Sequence, residues 1–194
     1  MMPNLVDDPQ DLPDLGVAGL QLRPLRVDDA GAWYAYLREN VVTRHTSWQL
    51  DGPADLVRLI HAYARPMESH CMRLAIVASD DGLAGTIGLN EISIPARRAE
   101  IAYDIAPQYW RRGIATRACA SVTAWALQQL GFARIQATVL DTNQASVGVL
   151  ERCGFEREGL LRHYRQVRGE PRDFWMYART CPQQERAAAS PRKT

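Results

Sequence analysis

The sequence predicts a mixed α/β domain with helices packed on one twisted sheet. Three observations predict it. Strand-like and helix-like patterns alternate between residues 20 and 180, an aspartate–glycine pair separates two apolar runs, and a long amphipathic stretch at Gly113–Leu130 follows a strand pattern. The chain has 194 residues and 21.8 kDa, enough for one domain with a real core. Its 46% hydrophobic and 23% charged residues give a globular profile.

Gln21–Val27 alternates in character and reads as the first strand. Asp28 or Asp29 then caps a helix whose apolar stripe is Ala30, Trp33, Tyr34 and Leu37. Pro53 stands where a helix accepts a first-turn proline, and Leu56, Leu59, Ile60 and Tyr63 share one face behind it. Met72–Ala78 and Leu83–Ile94 are strands joined by a turn at Asp80-Asp81-Gly82. Along Ala99–Ala106, Ile101, Tyr103 and Ile105 point one way and Glu100, Ala102 and Asp104 the other. The helix at Gly113–Leu130 turns Ile114, Ala118, Val122, Trp125 and Ala126 inward and stops at Gly131. Ile135, Ala137 and Val139 form the next strand, Asn143–Arg152 a short helix ended by Gly154, and Phe155–Val167 and Arg172–Arg179 two final strands. The order is β-α-α-β-β-β-α-β-α-β-β. Residues 1–19, acidic and rich in proline and glycine, read as a flexible arm, and residues 181–194 as a disordered tail around a domain at 20–180.

Composition removes several function classes. A net charge of +1 and the lack of a basic stripe interleaved with aromatics argue against a nucleic-acid module. Lys193 is the only lysine, so neither Schiff-base chemistry in the interior nor a Walker-type phosphate loop is available. Cys71, Cys119, Cys153 and Cys181 lack metal-ligand spacing, and the four histidines are scattered, so no metal site is expected; Cys119 and Cys153 read as small core residues. Residues 1–20 carry four aspartates and no base, unlike a signal peptide, and no apolar run reaches the length of a membrane span. The expectation is a soluble cytoplasmic protein, monomer or homodimer.

The most informative stretch is Tyr109-Trp110-Arg111-Arg112-Gly113-Ile114-Ala115-Thr116. It lies between a predicted strand and a predicted helix. A helix start offers unpaired backbone N–H groups and the positive end of the dipole. Gly113 and Ala115 let that backbone come close to a ligand, and Arg111, Arg112 and Arg117 stand near enough to assist a diphosphate. Taken alone, it is equally an ordinary helix start with solvated arginines.

This segment resembles the pyrophosphate motif Q/R-x-x-G-x-G/A of the GNAT acetyltransferases, with Gly113 and Ala115 on the two small positions. Trp110 stands where the general motif has Gln or Arg. That departure is similar to the Tyr-Trp-Gly-Lys-Gly form of the ribosomal-protein N-terminal (alanine/serine) acetyltransferase branch. Asn143-Gln144-Ala145-Ser146 followed by Val149-Leu150-Glu151-Arg152-Cys153-Gly154-Phe155 resembles the branch's N-x-x-S-x-x-V-L-E-x-x-G-F signature. Ala99-Glu100-Ile101-Ala102-Tyr103 resembles its A-E-I-G-Y strand. The three motifs occur in the family's order, and the resemblance spans about residues 20 to 180.

The resemblance implies a GNAT fold: a mixed, mostly antiparallel twisted sheet of six to seven strands flanked by about four helices, with a splayed central strand pair. It implies acetyl-CoA as co-substrate, lying where Ala99–Ala106 splays from Arg134–Leu140. The pantetheine arm then pairs with backbone around Ile105 and Ala106, and the diphosphate meets amides at Arg111, Arg112, Gly113, Ile114, Ala115 and Thr116. Asn143 is implied as a pantetheine contact, and it also suits a helix N-cap. Acetyl transfer to an amine requires removal of the ammonium proton, a donor for the developing oxyanion, and help for the leaving thiolate.

Glu100 matches a strand glutamate that serves as base in some members. Its alternative is a solvent-facing residue paired with Arg97 or Arg98. If Glu100 and Asp104 lie close on their shared face, each disfavours ionisation of the other. The tyrosine that many members use as thiolate acid is replaced here by Leu150. Ser146, one turn earlier, is the candidate donor near the sulfur. Trp33, Tyr34, Trp48, Trp175 and Tyr177 are candidates for an acceptor wall that also suit the core.

The function expected is acetyl transfer from acetyl-CoA to a primary amine, foremost the α-amine of a ribosomal or other protein N-terminus, by direct attack in a ternary complex. The alternatives are acetylation of a small amine (antibiotic, polyamine or amino acid) and a non-catalytic acyl-CoA-binding sensor.

Overall fold

The computed structural model describes residues 12–79 and 82–181; the proposed tail from 182 on, residues 1–11 of the proposed arm, and Asp80 and Asp81 of the proposed turn lie outside the described residues. Among the described residues, seven strands form one sheet in the order β1-β2-β3-β4-β5-β7-β6. They are β1 (Leu20–Pro24), β2 (Met72–Ala78), β3 (Leu83–Ser93), β4 (Arg98–Ile105), β5 (Arg134–Leu140), β6 (Glu156–Val167) and β7 (Glu170–Thr180). Every pairing is antiparallel except β4 with β5.

That parallel pair is short. It registers Arg98, Ala99 and Glu100 against Arg134, Ile135 and Gln136, and then the two strands part. The expected splay of the central pair is present, and it opens just beyond Glu100.

Among the described residues, four helices of nine or more residues flank the sheet: α1 (Asp29–Leu37), α3 (Pro53–Tyr63), α5 (Ile114–Gln128) and α6 (Gln144–Arg152). Two single-turn helices, α2 (Asn40–Thr43) and α4 (Pro66–Ser69), and a 3-10 turn at Pro107–Tyr109 were not anticipated; each is too short to show a periodic stripe. α5 and α6 cover the face formed by Ile101 and Ile105, with Ile114, Ala118, Val122, Trp125 and Ala126 buried against it as their spacing predicts. α1 and α3 cover the opposite face through Ala30, Trp33, Leu37, Leu56 and Ile60.

Local chemistry fixes the elements. Pro53 opens α3, and the Asp55 carboxylate accepts the Asp51 and Gly52 N–H groups. Neither aspartate caps α1 through its side chain. Instead Asp29 takes both Arg23 Nη atoms, at 2.7 and 2.8 Å, and the Arg26 N–H at 2.7 Å, which ties β1 to α1. Burial alone would raise the Asp29 carboxyl; the bonds from Arg23 and Arg26 outweigh it and hold it below the ordinary aspartate range. Leu15, inside the stretch read as an arm, is buried in the main core. No helix among the described residues is long and apolar enough to cross a membrane.

Candidate active site

A cleft of about 610 Å³ runs across the sheet where β4 and β5 part. Trp48 and α3 stand at one end, and Asn143 and Ser146 of α6 at the other. Glu100, Ala102, Thr138 and Arg165 line its middle.

Glu100 is 3% exposed. Its Oε1 accepts the Thr138 hydroxyl at 2.8 Å and Arg165 Nη2 at 3.1 Å. Its Oε2 is buried and has no partner. The alternative of a solvent-facing residue paired with Arg97 or Arg98 does not describe it. Arg98 approaches Glu91 instead, at 3.7 Å.

Arg165 reaches Glu100 from β6, two strands beyond β5 in the sheet. The β6–β7 register slips between Leu161 and Arg165, and His163 adopts φ 49° within the slip. Irregularities of this kind re-aim a side chain. The guanidinium lies 5.0 Å from the Tyr164 ring centre and 5.9 Å from that of Phe174. Burial opposes its charge, but Glu100 and Tyr164 more than compensate, so Arg165 stays a cation.

Asp104 shares the Glu100 face but belongs to a separate buried cluster. Its Oδ1 accepts Trp33 Nε1 at 3.2 Å and the Tyr36 hydroxyl; its Oδ2 accepts Arg73 Nη2 at 3.0 Å and the Thr86 hydroxyl at 2.7 Å. Each of the two carboxylates thus has its own cation. Burial drives the Tyr36 phenol well up, and the Asp104 charge adds to the effect. Arg73 sits 5.7 Å from the Trp33 ring and 6.0 Å from that of Trp48, at the floor of the cleft.

At the far end, Asn143 does cap α6: its Oδ1 accepts the Ser146 N–H at 3.2 Å. Its amide donates to Ser146 Oγ at 3.1 Å, so the two candidate side chains form one unit at the mouth of α6. Leu150 is buried just behind them. The Tyr103 hydroxyl, from β4, donates to the Ser146 carbonyl at 3.5 Å across the splay. Burial pushes this phenol far up, so it stays protonated.

The turn before α5 lies outside the residues that line this cleft. Arg111 has φ 61° and Gly113, the α5 N-cap, φ 74°. Two left-handed residues stand ahead of a fifteen-residue helix, an arrangement suited to anions. A Cβ on Gly113 would meet nothing within 4 Å, so the space beside it is open to a ligand. The donors present, backbone amides with Arg111 and Arg112 beside them, suit a diphosphate. Arg112 rests over the Tyr109 ring at 5.3 Å.

Ile105 and Ala106 lie between the turn and the cleft. Ala106 gives its N–H to Ala84 of β3 at 2.9 Å, so by alternation Ile105 faces the splay. The Ile105 carbonyl there accepts the Trp110 indole at 2.6 Å. Trp110, the departure from the general motif, is thereby a strut between β4 and the turn. Of the aromatic candidates, Trp48 lines the cleft, while Trp33 and Tyr177 are buried.

Arg165, Thr138 and the Asp104 cluster were missed by sequence reasoning. For Asp104 the signal was a second carboxylate on the Glu100 face of the strand; for Arg165 no local signal exists.

A sheet opened at the one parallel pair among the described residues, with a helix start suited to anions near the opening, defines an acyl-CoA-type transferase fold. The family model for the acetyltransferase (GNAT) domain matches residues 19–156, and the chain belongs to that family. It is an acetyl-transfer enzyme. The "uncharacterized N-acetyltransferase YoaA" of Bacillus subtilis (strain 168) is 33% identical over 175 residues, covering 89% of this chain and 99% of the relative. The spermidine N(1)-acetyltransferase of Escherichia coli (strain K12) is 27% identical over 154 residues, 79% of this chain and 82% of the relative. The crystal structure of ribosomal-protein-S5-alanine acetyltransferase from Vibrio fischeri shares the fold, with a TM-score of 0.77 at 19% identity over 86% of this chain and 96% of that one.

Proposed function

We propose that this enzyme moves an acetyl group from acetyl-CoA to the α-amine at a protein or peptide N-terminus, by direct attack in a ternary complex. The products are the N-acetylated amine, the CoA thiol and one proton. The observation that carries the reading is Glu100: a carboxylate buried at the point where β4 and β5 part, with Oε1 clamped and Oε2 unpartnered.

Acetyl-CoA supplies the acetyl group as a thioester. The N–H groups at Arg111, Arg112, Gly113, Ile114, Ala115 and Thr116 hold the diphosphate, and the backbone around Ile105 and Ala106 guides the pantetheine arm. Asn143 fixes Ser146 at the opening, where the Ser146 hydroxyl donates toward the sulfur. Glu100 Oε2 accepts a proton from the acceptor ammonium, directly or through a water. The amine enters from the α1–α3 face, which carries Glu100; the cofactor enters from the α5–α6 face. The two substrates thus meet across the sheet, and position supplies part of the rate.

The test is release of CoA thiol with a short peptide carrying a free N-terminus, set against the same peptide blocked. Release only with the free amine, and an acidic limb in the pH dependence of turnover that is lost or moved in Glu100→Gln, is the expected pattern. Equal release with the blocked peptide overturns the acceptor. An unchanged pH profile in Glu100→Gln removes Glu100 as the base.

A further inference from the structure

The Glu100–Arg165 pair bears on which amines the site accepts; the argument rests on the acetyl-transfer reading above. We infer that Arg165 is a specificity-determining residue: by keeping Glu100 half of a neutral pair, it makes the site select amines that shed a proton near neutral pH, the α-amines of peptides, over the amines of lysine side chains and polyamines.

Glu100 offers the acceptor a single oxygen. Thr138 and Arg165 both bind Oε1, and Oε2 is buried without a partner. The Arg165 charge therefore stays beside the carboxylate when an amine arrives at Oε2. The guanidinium is also pinned by the Tyr164 and Phe174 rings and by Glu91 at 3.7 Å.

A bare buried carboxylate raises the proton affinity of an amine beside it, by roughly 1–3 pH units for an opposite charge within a few ångströms. It would hold the acceptor as ammonium, which has no lone pair. A carboxylate already neutralised by Arg165 withholds most of that effect, and each amine keeps close to its own proton affinity. At pH 7.5 roughly a third of an ordinary α-amine is neutral, against about one in a thousand of a lysine-type amine. The neutral pair thus turns an intrinsic difference between amines into a difference in turnover.

The other charges around the cleft do not change this balance. Arg73 is held by Asp104, and Arg58 by Asp55, which also takes the Asp51 and Gly52 N–H groups. Arg98 and Arg165 share Glu91. His45 and Tyr63 line the acceptor end; burial lowers the imidazole, and burial keeps the phenol protonated. Among the described residues that line the cleft, both carboxylates, Asp55 and Glu100, already have a guanidinium partner. A polyamine has two or more further ammonium groups, and among the described residues no unpaired carboxylate lines the cleft to receive them.

The test compares wild type, Arg165→Gln and Arg165→Lys at saturating acetyl-CoA, with thermal melts to establish folding. The acceptors are a lysine-free peptide with a free N-terminus, the same peptide blocked and carrying one lysine, and spermidine. Wild type is expected to favour the free N-terminus at least about tenfold in kcat/KM over either other amine at pH 7.5. In Arg165→Gln the acidic limb of kcat moves up by about one pH unit or more, KM falls, and kcat at pH 7.5 drops about tenfold. Arg165→Lys keeps the charge and restores the wild-type limb.

A folded Arg165→Gln with the wild-type limb and acceptor ratio overturns the inference. So does a wild type that uses spermidine or the lysine peptide as well as the α-amine, a comparison that decides the matter even if Arg165→Gln fails to fold. Wild type that binds acetyl-CoA but releases no thiol with any of the three amines defeats the acetyl-transfer reading instead, and the inference with it.

Discussion

Replacing Asp104 by asparagine changes one atom's chemistry and almost none of its volume, yet it should be among the costliest substitutions in the domain. Four donors converge on the carboxylate: Trp33 and Tyr36 on Oδ1, Arg73 and Thr86 on Oδ2. The Tyr36 and Thr86 hydroxyls can rotate and accept. The Trp33 indole and the Arg73 guanidinium can only donate. Whichever way an asparagine amide is flipped, its NH₂ meets one of those two. Arg73 also loses its counter-ion while its side chain is only 3% exposed. Burial alone would depress the Arg73 guanidinium, and it is the Asp104 charge that chiefly keeps it a stable cation. Removing one partner of a buried pair costs about 3–5 kcal/mol. At about 2–4 °C per kcal/mol for a domain of this size, the melting temperature should fall by about 6–20 °C. Differential scanning calorimetry or a urea titration measures it. In an Arg73→Met background the same substitution should cost less than half as much, because no cation is left orphaned. A melting temperature within about 2 °C of wild type, or a cost unchanged by Arg73→Met, would refute the reasoning.

Gly113→Glu puts a side chain on a left-handed residue and a negative charge at the helix start; CoA affinity by calorimetry should fall at least tenfold (an order-of-magnitude expectation from the lost dipole and amide contacts) while the domain stays folded. Ser146→Ala should slow the chemical step about tenfold with CoA affinity changed less than about twofold, seen by single-turnover kinetics beside equilibrium binding. Asn143→Ala removes the α6 cap as well and should cost about 1 kcal/mol of stability by urea titration. The Asp29 carboxyl is held below its ordinary value, so its contribution to stability is complete above the unfolded-state value near 3.9 and is lost as the pH falls through the folded-state value. Asp29→Asn should therefore destabilise the domain at pH 7 by about 1.5–3 kcal/mol, and the gap to wild type should shrink toward pH 2 in parallel melts.

Local patterns carried most of the architecture. The alternation along Ala99–Ala106 and the stripe along Gly113–Leu130 place Ile101, Ile105, Ala118 and Val122 where the structure has them, because periodicity is a property of neighbours in sequence. The Asn143 cap is legible for the same reason. The electrostatics of the cleft are not. Arg97 and Arg98 adjoin the Glu100 strand in sequence, yet its partner is Arg165, 65 residues on, brought in by a strand order that places β7 between β5 and β6. The Asp104 cluster draws Trp33 from α1, Arg73 from β2 and Thr86 from β3, and no single segment records that convergence. Trp110 shows the intermediate case. Its position in the motif was visible, but its role as a donor to Ile105 required the fold.

The three-residue contact between β4 and β5 also sets a clock on the backbone. Beyond Glu100, β4 has β3 on one side only, so the Tyr103 and Ile105 amides face the splay rather than a neighbouring strand. Their deuterium uptake in the free protein should run well ahead of that of Ala102 and Asp104, which alternate toward β3. A bound molecule that fills the opening would close that difference, and the same amides would then exchange with the rest of the sheet. Isotope exchange at two positions on one strand thus reports occupancy directly, with no acceptor amine in the tube.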